Sequence, residues 1–366
     1  MFKITHTDNL SRVGNLTTAH GRVETPFFMP AATKATGKVI TTDDYKQNKV
    51  KAIIANALIL SLKPGIEVIQ KAQGIHRFMN FQGIIFTDCG GFQMSRGIFE
   101  MKSKKGLHFR NPYNNSKVVV TPKKMMEIEL SIDSDVAMML DDMSGYGVLY
   151  EEAKLAMENT HRWGKESLDW HNKLKGNSKQ LLFGIVQGNF FSDLREQSAK
   201  FINYLDFDGI AIGGVAIGEP KDKMHEAVDA VLKHITTEKP RYVMGVGSPR
   251  EILELIEKGI DCFDSVYPTQ VARRGTLFTR AGKVIIDQIK YQNDLTPIEK
   301  NCQCHTCKNY TRAYLHHLCK VKEPIYKRFA SIHNTYFIQM MMQEAREAIK
   351  KNKFKEFKEK TIKNFN

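Results

Sequence analysis

Residues 181–214, LLFGIVQGNFFSDLREQSAKFINYLDFDGIAIGG, contain two short apolar runs separated by an amphipathic stretch. The runs Leu181–Gln187 and Gly209–Gly214 have the length of strands, whereas Phe191–Tyr204 has helical spacing. Strands that are apolar almost throughout are typical of a parallel sheet covered by helices on both faces. We therefore predict a strand–helix–strand unit with two parallel strands.

The same alternation extends over most of the chain from about residue 50. Further strand candidates are Lys51–Ser61, Ile84–Asp88, Val136–Asp141, Tyr242–Gly245 and Cys262–Tyr267. Further helix candidates are Pro122–Leu130, Tyr150–Leu174, Lys221–Ile235 and Pro249–Lys258. Repeated strand-then-helix order predicts an α/β fold.

The strand candidates end in polar or glycine residues: Asn56, Asp88, Asp141, Gln187, Gly213-Gly214 and Asp264. In a (β/α)8 TIM barrel, such strand ends meet at one rim, where the reacting groups gather. A doubly wound open sheet also binds ligands at strand ends. We prefer the barrel, because many separate strands contribute and no Gly-x-Gly-x-x-Gly motif opens a helix.

The charge of the chain is unusually basic. Its 366 residues carry a formal net charge of +14. A basic surface favours a polyanionic partner, nucleic acid before an anionic membrane, although a lysine-rich proteome would give the same balance.

Nothing in the sequence indicates a membrane or a secretory route. No apolar run approaches the ~18 residues of a membrane span. Met1–Thr5 lacks an apolar signal segment, and Cys89, Cys262 and Cys319 are isolated. We expect a cytoplasmic protein with no membrane contact.

Three cysteines, Cys302, Cys304 and Cys307, lie within six positions. Thiolates this close can converge on one tetrahedral Zn²⁺ with a nearby imidazole, and four protein ligands would make the site structural. Spacing places His333 slightly ahead as the fourth ligand. The competing histidines are His305, His316 and His317.

The position of the cysteines predicts how the C-terminal part of the chain is divided into a metal-binding segment and a tail. We expect one barrel catalytic domain over 1–366, with a zinc-binding subdomain at 285–335 inserted near the C-terminus. Residues 336–366 would form a C-terminal helix and a basic tail. Seven lysines fall within Lys350–Lys363, which we interpret as a frayed, solvated helix end rather than an RNA-binding arm.

Two carboxylates at the predicted rim could share a reaction. Asp88 and Asp264 could act as nucleophile and proton-transfer group, although either could simply cap a turn. Asp141 is suited to accept hydrogen bonds from a guanine-like N–H edge. The glycine-containing stretches 213–216 and 245–247 bring bare backbone to the same rim, either to read a flat heterocycle or for packing.

In this order, the motifs resemble the tRNA-guanine transglycosylase (queuine/archaeosine tRNA-ribosyltransferase) family from near the N-terminus to about residue 345. Besides the cysteine cluster, the matching stretches are Phe86–Gln93 (FTDCGGFQ), Phe183–Gly188 (FGIVQG), Ala211–Pro220 (AIGGVAIGEP), Met244–Gly247 (MGVG), Phe263–Thr269 (FDSVYPT), Arg312–Leu318 (RAYLHHL) and Ser331–Asn334 (SIHN).

The resemblance implies an enzyme that exchanges a guanine in tRNA for a 7-deazaguanine base. Asp264 would be the nucleophile that forms a covalent ribosyl–enzyme intermediate, and Asp88 the proton acceptor. The positions implied to bind the base are Asp141, Gln187, Gly214, Val215, Met244 and Gly245. Arg273 and Arg274 would bind RNA, and His333 becomes the expected fourth zinc ligand.

The identity of the base is left open by departures from the family pattern. Ala57, Leu58 and Ile59 stand where bacterial members have Thr-Tyr-His, Met143 replaces a usual cysteine, and Gln270 replaces a usual RNA-contacting arginine. Ile217 stands where queuine-using enzymes have glycine, which favours the small substituent of 7-aminomethyl-7-deazaguanine at the wobble position.

Two alternatives remain, and one partner is implied. An archaeosine-type enzyme would insert 7-cyano-7-deazaguanine in the D-arm, but the chain ends without the extra C-terminal domains usual there. A non-catalytic tRNA-docking zinc subunit would usually lack the aspartate at Asp264. The bacterial likeness also implies a homodimer.

Overall fold

A computed structural model describes residues 1–90, 99–103 and 105–365. The strands are β1 (Phe2–Asp8), β2 (Ser11–Thr18), β3 (Gly21–Thr25), β4 (Phe27–Pro30), β5 (Ala52–Asn56), β6 (Ile84–Asp88), β7 (Phe99–Ser103), β8 (Gly106–Arg110), β9 (Lys117–Val120), β10 (Val136–Met138), β11 (Leu181–Val186), β12 (Gly209–Ile212), β13 (Arg241–Val243), β14 (Cys262–Ser265), β15 (Thr276–Thr279) and β16 (Gly282–Ile285). The helices are α1 (Thr42–Gln47), α2 (Ala57–Leu60), α3 (Ile66–Lys71), α4 (Ile75–Met79), α5 (Pro122–Ile132), α6 (Tyr150–Leu174), α7 (Ser192–Tyr204), α8 (Lys221–Leu232), α9 (Pro249–Glu257), α10 (Tyr267–Ala272), α11 (His305–Asn309), α12 (Arg312–Lys320), α13 (Pro324–Lys350) and α14 (Phe354–Ile362).

Eight parallel strands form the barrel in the order β4-β14-β13-β12-β11-β10-β6-β5. A parallel bridge between Ala31 and Ile54 brings the two ends of this sheet together, and the Ala32 N–H donates to the Ile54 carbonyl at 2.7 Å. The strands therefore follow one another around the barrel in sequence order. The predicted (β/α)8 fold class is confirmed.

Aromatic side chains fill the interior of the barrel. The ring of Phe86 packs edge-on against Phe27, Phe183 and Tyr242, with centroids 6.1, 5.5 and 6.1 Å away. Because these rings come from four different strands, one buried cluster fixes their spacing. The barrel is packed through its centre, and the space for a ligand lies above it, at the carboxyl ends.

Two elements differ from the sequence-based expectations. The eighth barrel strand, β4, is only four residues long and was not predicted. The candidate Lys51–Ser61 was too long, because Asn56 caps a helix: its Oδ1 accepts the Ile59 N–H at 2.8 Å.

The basic tail also differs from the expected frayed end. It forms α14, which packs against α9, and Phe354 and Phe365 are buried. A hydrogen bond from the Phe354 N–H to Asp8 at 2.9 Å ties the tail to the first strand. The tail is therefore part of the packed structure.

A second apolar cluster surrounds the cysteines and includes Ile298, Leu315 and Tyr326. Helix α13 runs through this cluster and on to the barrel, where the Gln339 side chain donates to the Phe28 carbonyl at 3.0 Å.

Within the described residues, no helix has both the length and the apolar composition that crossing a bilayer requires.

A buried ion pair fastens the N-terminal sheet to the lower end of the barrel. The Arg12 guanidinium on β2 donates to both carboxylate oxygens of Asp261, which precedes β14. It also donates to the carbonyls of Thr237 and Lys239, at 2.5 and 3.0 Å. The arginine is 3% exposed and the aspartate 0% exposed, so neither charge can be solvated if its partner is lost.

We expect Arg12→Met to destabilise the fold by about 3–5 kcal/mol, because it leaves a buried carboxylate unpaired. Denaturant unfolding would measure this loss. The control is Lys165→Met, which removes an exposed ion pair with Asp169 and should cost ~0.5 kcal/mol. Equal losses for the two variants would contradict the structural role of Arg12.

Candidate active site and metal centre

A cavity of about 780 Å³ opens at the carboxyl ends of the barrel strands. Its walls bring together most of the residues that the sequence predicted for catalysis and base binding: Asp88, Asp141, Gln187, Gly214, Val215, Met244, Gly245 and Asp264. The last three residues of the Phe86–Gln93 motif lie outside the described residues. The remaining groups converge because parallel strands end on one side of the barrel.

Asp264 is held in a defined orientation at the end of β14. Its Oδ1 accepts the Tyr242 hydroxyl at 2.6 Å and the Gly245 N–H at 2.8 Å. Burial raises the pKa of Asp264, and these two hydrogen bonds oppose the rise. Both donors meet the same oxygen, whereas Oδ2 accepts no hydrogen bond from the residues that the structure describes.

Tyr242 was not among the predicted site residues. Its side chain is fully buried, and burial together with the charge of Asp264 raises its pKa, so the hydroxyl remains a donor. A buried tyrosine needs a partner for its hydroxyl. Its place on a strand candidate beside a predicted rim carboxylate was the signal that could have found it.

Asp88 lies in the same cavity, at the end of β6. Burial raises its pKa to about 7, and the negative charges of Asp141 and Asp264 add to the rise. A carboxyl group with this pKa exchanges a proton readily near neutral pH.

Asp141 and Gln187 form a second polar pair in the cavity. The Gln187 amide donates to Asp141 Oδ2 at 2.7 Å, and the Cys89 thiol lies 3.3 Å from Asp141 Oδ1. Asp141 is 7% exposed and Gln187 is 3% exposed. Together they offer a planar ligand both hydrogen-bond acceptors and a donor.

Glycine is required at two of these wall positions. Gly214 has a φ of +63°, and a Cβ there would lie 2.5 Å from Gln187 Oε1. Gly245 has a φ of +80°, which lets its N–H reach Asp264. Next to Gly214, the backbone N–H groups of Ala216 and Ile217 donate to the Glu219 carboxylate at 2.6 and 2.8 Å.

The two arginines predicted to bind RNA are outside the cavity wall. Arg273 and Arg274 directly follow α10, a helix from which Tyr267 and Gln270 line the cavity. Arg274 is exposed, whereas burial lowers the pKa of Arg273, and its Nη1 is buried without an acceptor among the described residues.

The three clustered cysteines converge on one histidine. His333 Nδ1 lies 3.8 Å from the sulfur of Cys302, 3.5 Å from that of Cys304 and 3.4 Å from that of Cys307. Tetrahedral zinc with ordinary bond lengths would place nitrogen and sulfur ligands about 3.6 Å apart. The other ring nitrogen, Nε2, donates to the Phe278 carbonyl at 2.7 Å, which turns Nδ1 toward the thiols. The cluster fits one metal ion.

The competing histidines point elsewhere. His316 Nδ1 lies 2.8 Å from the Ile286 carbonyl, and His305 is exposed near Asn309. His317 is exposed on α12. None of the three belongs to the cluster of possible metal ligands around the cysteines.

A second group of possible ligands, His20, His76 and Asp135, lies at the opposite end of the barrel. The two imidazole rings stack with centroids 3.6 Å apart and planes 18° from parallel. One ring nitrogen of each contacts the Asp135 carboxylate: His20 Nδ1 lies 3.1 Å from Oδ1, and His76 Nε2 lies 2.9 Å from Oδ2. A metal must lie in the plane of each ligating ring, and two nearly parallel planes do not meet at bonding distance. The group is therefore a structural tie.

Comparison with known proteins is consistent with this geometry. The family described as "Queuine tRNA-ribosyltransferase" matches residues 8–366. The chain belongs to the queuine tRNA-ribosyltransferase family. A relative from Caldanaerobacter subterraneus subsp. tengcongensis, named queuine tRNA-ribosyltransferase, is 43% identical over 97% of this chain and 94% of its own length. Relatives of the same name from Desulforamulus reducens and Staphylococcus aureus are 43% and 42% identical, over 97% and 95% of this chain and 95% and 92% of their own lengths.

Membership confirms the resemblance drawn from the motifs and makes the chain a member of a family of pentosyltransferases. The match to the family covers the whole barrel and the cysteine cluster, because it runs over residues 8–366. The cavity is thus the candidate active site of a queuine tRNA-ribosyltransferase family member.

The raised pKa of Asp88 predicts a pH-dependent effect of Asp88→Asn. Its pKa is about 7 in the folded protein and 3.8 ordinarily, so ionising Asp88 lowers the stability of the folded state as the pH rises between those values. The melting temperature of the asparagine variant relative to wild type should therefore rise by a few degrees between about pH 4 and about pH 7. The exposed control Asp206→Asn should show no such gain. A constant difference across this range would contradict the assignment.

Proposed function

We propose that this protein exchanges a guanine in tRNA for a 7-deazaguanine base at the anticodon wobble position, in queuosine modification. The observation that carries the proposal is the pair of carboxylates in one cavity. Asp264 has one oxygen held by two donors and one without a donor in the described part of the chain, and Asp88 has a pKa of about 7. Retaining glycosyl transfer needs one carboxylate as nucleophile and one that moves a proton.

In the first half-reaction, Asp264 Oδ2 attacks C1′ of the ribose, and the bond from C1′ to N9 of guanine breaks. The leaving guanine takes up a proton, which Asp88 supplies while it is protonated. The Tyr242 hydroxyl and the Gly245 N–H keep Asp264 Oδ1 in place throughout. The product is an aspartyl–ribosyl ester.

In the second half-reaction, the incoming base loses its N9 proton to Asp88, and N9 attacks C1′. The bond from C1′ to Asp264 breaks and restores the carboxylate. Because the closed barrel and the seated base exclude water, the ester reacts with the base rather than being hydrolysed.

Recognition of the base would use the walls of the cavity. Asp141 accepts from the N–H edge of the base, Gln187 and the backbone of Gly214 and Val215 contact its remaining polar atoms, and Met244 packs on the ring. The guanosine must leave its stack to reach this rim, as expected for an enzyme that acts on a base.

The favoured incoming base is 7-aminomethyl-7-deazaguanine. Ile217 lies on the cavity wall, where its bulk leaves room for a small 7-substituent. The archaeosine-type alternative and the non-catalytic subunit are distinguished by experiment. The former requires D-arm exchange of 7-cyano-7-deazaguanine, and the latter requires no exchange at all.

The rest of the molecule supports binding of tRNA. The net charge is +14, and Arg273 has a buried Nη1 without an acceptor among the described residues. We propose that Arg273 and Arg274 contact the RNA backbone.

We also propose a homodimer. Exposed apolar residues of the 285–335 segment, Ile289, Leu295 and Val321, are suited to a covered surface.

For the metal cluster, we propose one structural Zn²⁺ held by Cys302, Cys304, Cys307 and His333, within a subdomain at 285–335. Residues 336–366 would then join this subdomain to the single catalytic barrel. Four protein ligands leave no position for substrate. Thiols that must stay reduced favour the cytoplasm.

Trapping the intermediate tests the reaction. Wild-type protein incubated with tRNA and guanine should give a covalent protein–RNA adduct on a denaturing gel, whereas Asp264→Asn should give none. Asp206→Asn, an exposed carboxylate, is the matched control and should behave as wild type. No adduct and no exchange in wild type would contradict the enzyme, and an adduct in Asp264→Asn would contradict its nucleophile.

Replacing one thiol tests the metal. Wild-type protein should contain about one Zn²⁺ per chain, and Cys304→Ser should lose it and melt at a lower temperature. Cys319→Ser removes a thiol from the same region but outside the cluster, so it should keep the metal. Elemental analysis and thermal unfolding measure the two effects. A Cys304→Ser variant with full zinc content would refute the ligand set.

A further inference from the structure

Arg195, on α7, is a fully buried arginine that lies behind the wall of the candidate active site, in contact with the lining residues Gly213 and Gly214. Its guanidinium donates only to backbone carbonyl oxygens: to Asn189 at 2.5 Å, Val186 at 3.2 Å, Gly213 at 2.7 Å and Gly214 at 3.1 Å. Burial lowers its pKa to about 9. Burying a cation without a hydrogen-bonded carboxylate costs free energy, so the hydrogen bonds to the carbonyl oxygens must offset part of that cost.

These carbonyls belong to the carboxyl ends of two neighbouring strands, β11 and β12. Val186 is the last residue of β11, and Gly213 directly follows β12. The same strand ends carry Gln187 and Gly214 into the cavity. One side chain thus joins the two loops that bear the proposed base-binding groups.

The bonds to Gly213 and Gly214 also set the direction of two successive peptide units. In a trans peptide, the C=O of one residue and the N–H of the next point in opposite directions. With both carbonyls directed at Arg195, the N–H groups of Gly214 and Val215 point away from it. Both residues line the cavity, and neither N–H has an acceptor among the described residues.

Buried N–H groups almost always have partners. Gly214 and Val215 are both buried, so their two N–H groups need an acceptor from a ligand. Adjacent N–H groups of this kind suit a carbonyl oxygen, such as the exocyclic oxygen of a guanine-type base.

We infer that Arg195 is a positioning residue that presents the N–H groups of Gly214 and Val215 to the exocyclic oxygen of the base. The inference rests on the proposed function for the identity of the base. Arg195 itself does not touch the base. It acts by fixing the two peptide planes through their carbonyls.

The test uses Arg195→Lys, which keeps the charge but cannot reach all four carbonyls at once. The control is Arg241→Lys. Arg241 is another buried arginine, and it donates to the carbonyls of Ile235 and Thr236, both at 3.1 Å, at the opposite end of the barrel. Both variants remove arginine–carbonyl bonds, but only one does so at the cavity.

Calorimetry would measure binding of guanine and of 2-aminopurine, which lacks the exocyclic oxygen. Arg195→Lys should weaken guanine binding about 10-fold or more and leave 2-aminopurine binding nearly unchanged, so that the preference for guanine falls. Arg241→Lys should keep the wild-type preference. An unchanged preference in Arg195→Lys, or an equal fall in both variants, would overturn the inference.

Hydrogen exchange of the wild-type protein provides a second measurement if Arg195→Lys does not fold. Guanine should slow exchange in the peptide that contains Gly214 and Val215, and 2-aminopurine should slow it less. Equal protection by both bases would overturn the inference. Because these assays measure binding alone, absence of tRNA exchange in wild type would refute the proposed function separately.

Discussion

Burial of three carboxyl groups in one cavity, those of Asp88, Asp141 and Asp264, is the constraint around which the candidate site is arranged. Burial disfavours the ionised form of a carboxyl group unless hydrogen-bond donors compensate it, and neighbouring negative charges add to the cost. Asp264 is compensated by a hydroxyl and a backbone N–H, and Asp141 by the Gln187 amide. For Asp88, burial is the largest cause of the raised pKa, and the negative charges of Asp141 and Asp264 add to the rise.

This distribution gives each carboxyl group a different chemical character. A group that accepts two hydrogen bonds on one oxygen is held in one orientation, which suits a nucleophile. A group whose pKa is close to neutral can both take and give a proton within one catalytic cycle. The difference arises from the neighbours of each aspartate, since the three side chains are chemically identical.

The alternation of apolar runs and helical stretches was enough to predict the barrel. Seven of its strands were found because each is apolar along most of its length, as in Leu181–Val186. Strand β4 was missed because four residues ending in proline carry too little pattern to separate them from a loop.

The candidate site was predictable where chemistry lies in side chains at strand ends. Asp88, Asp141, Gln187 and Asp264 were identified in this way, and the structure brings them to one cavity. Arg195 could not be identified, because its role depends on which carbonyls a helical arginine meets after folding. Sequence patterns do not encode that kind of backbone contact.

Helix α13 has a consequence for how the chain can be divided. His333 of the metal cluster lies on it, and so does Asn334, whose amide donates to the carbonyls of Pro268 and Thr276 at 2.9 and 3.0 Å. Farther along, Arg346 donates to the Pro26 carbonyl at 2.7 Å, beside the first barrel strand. Cutting the chain before this helix would deprive both parts of contacts. Recombination is therefore not expected to exchange the part that bears the cysteine cluster as an independent module.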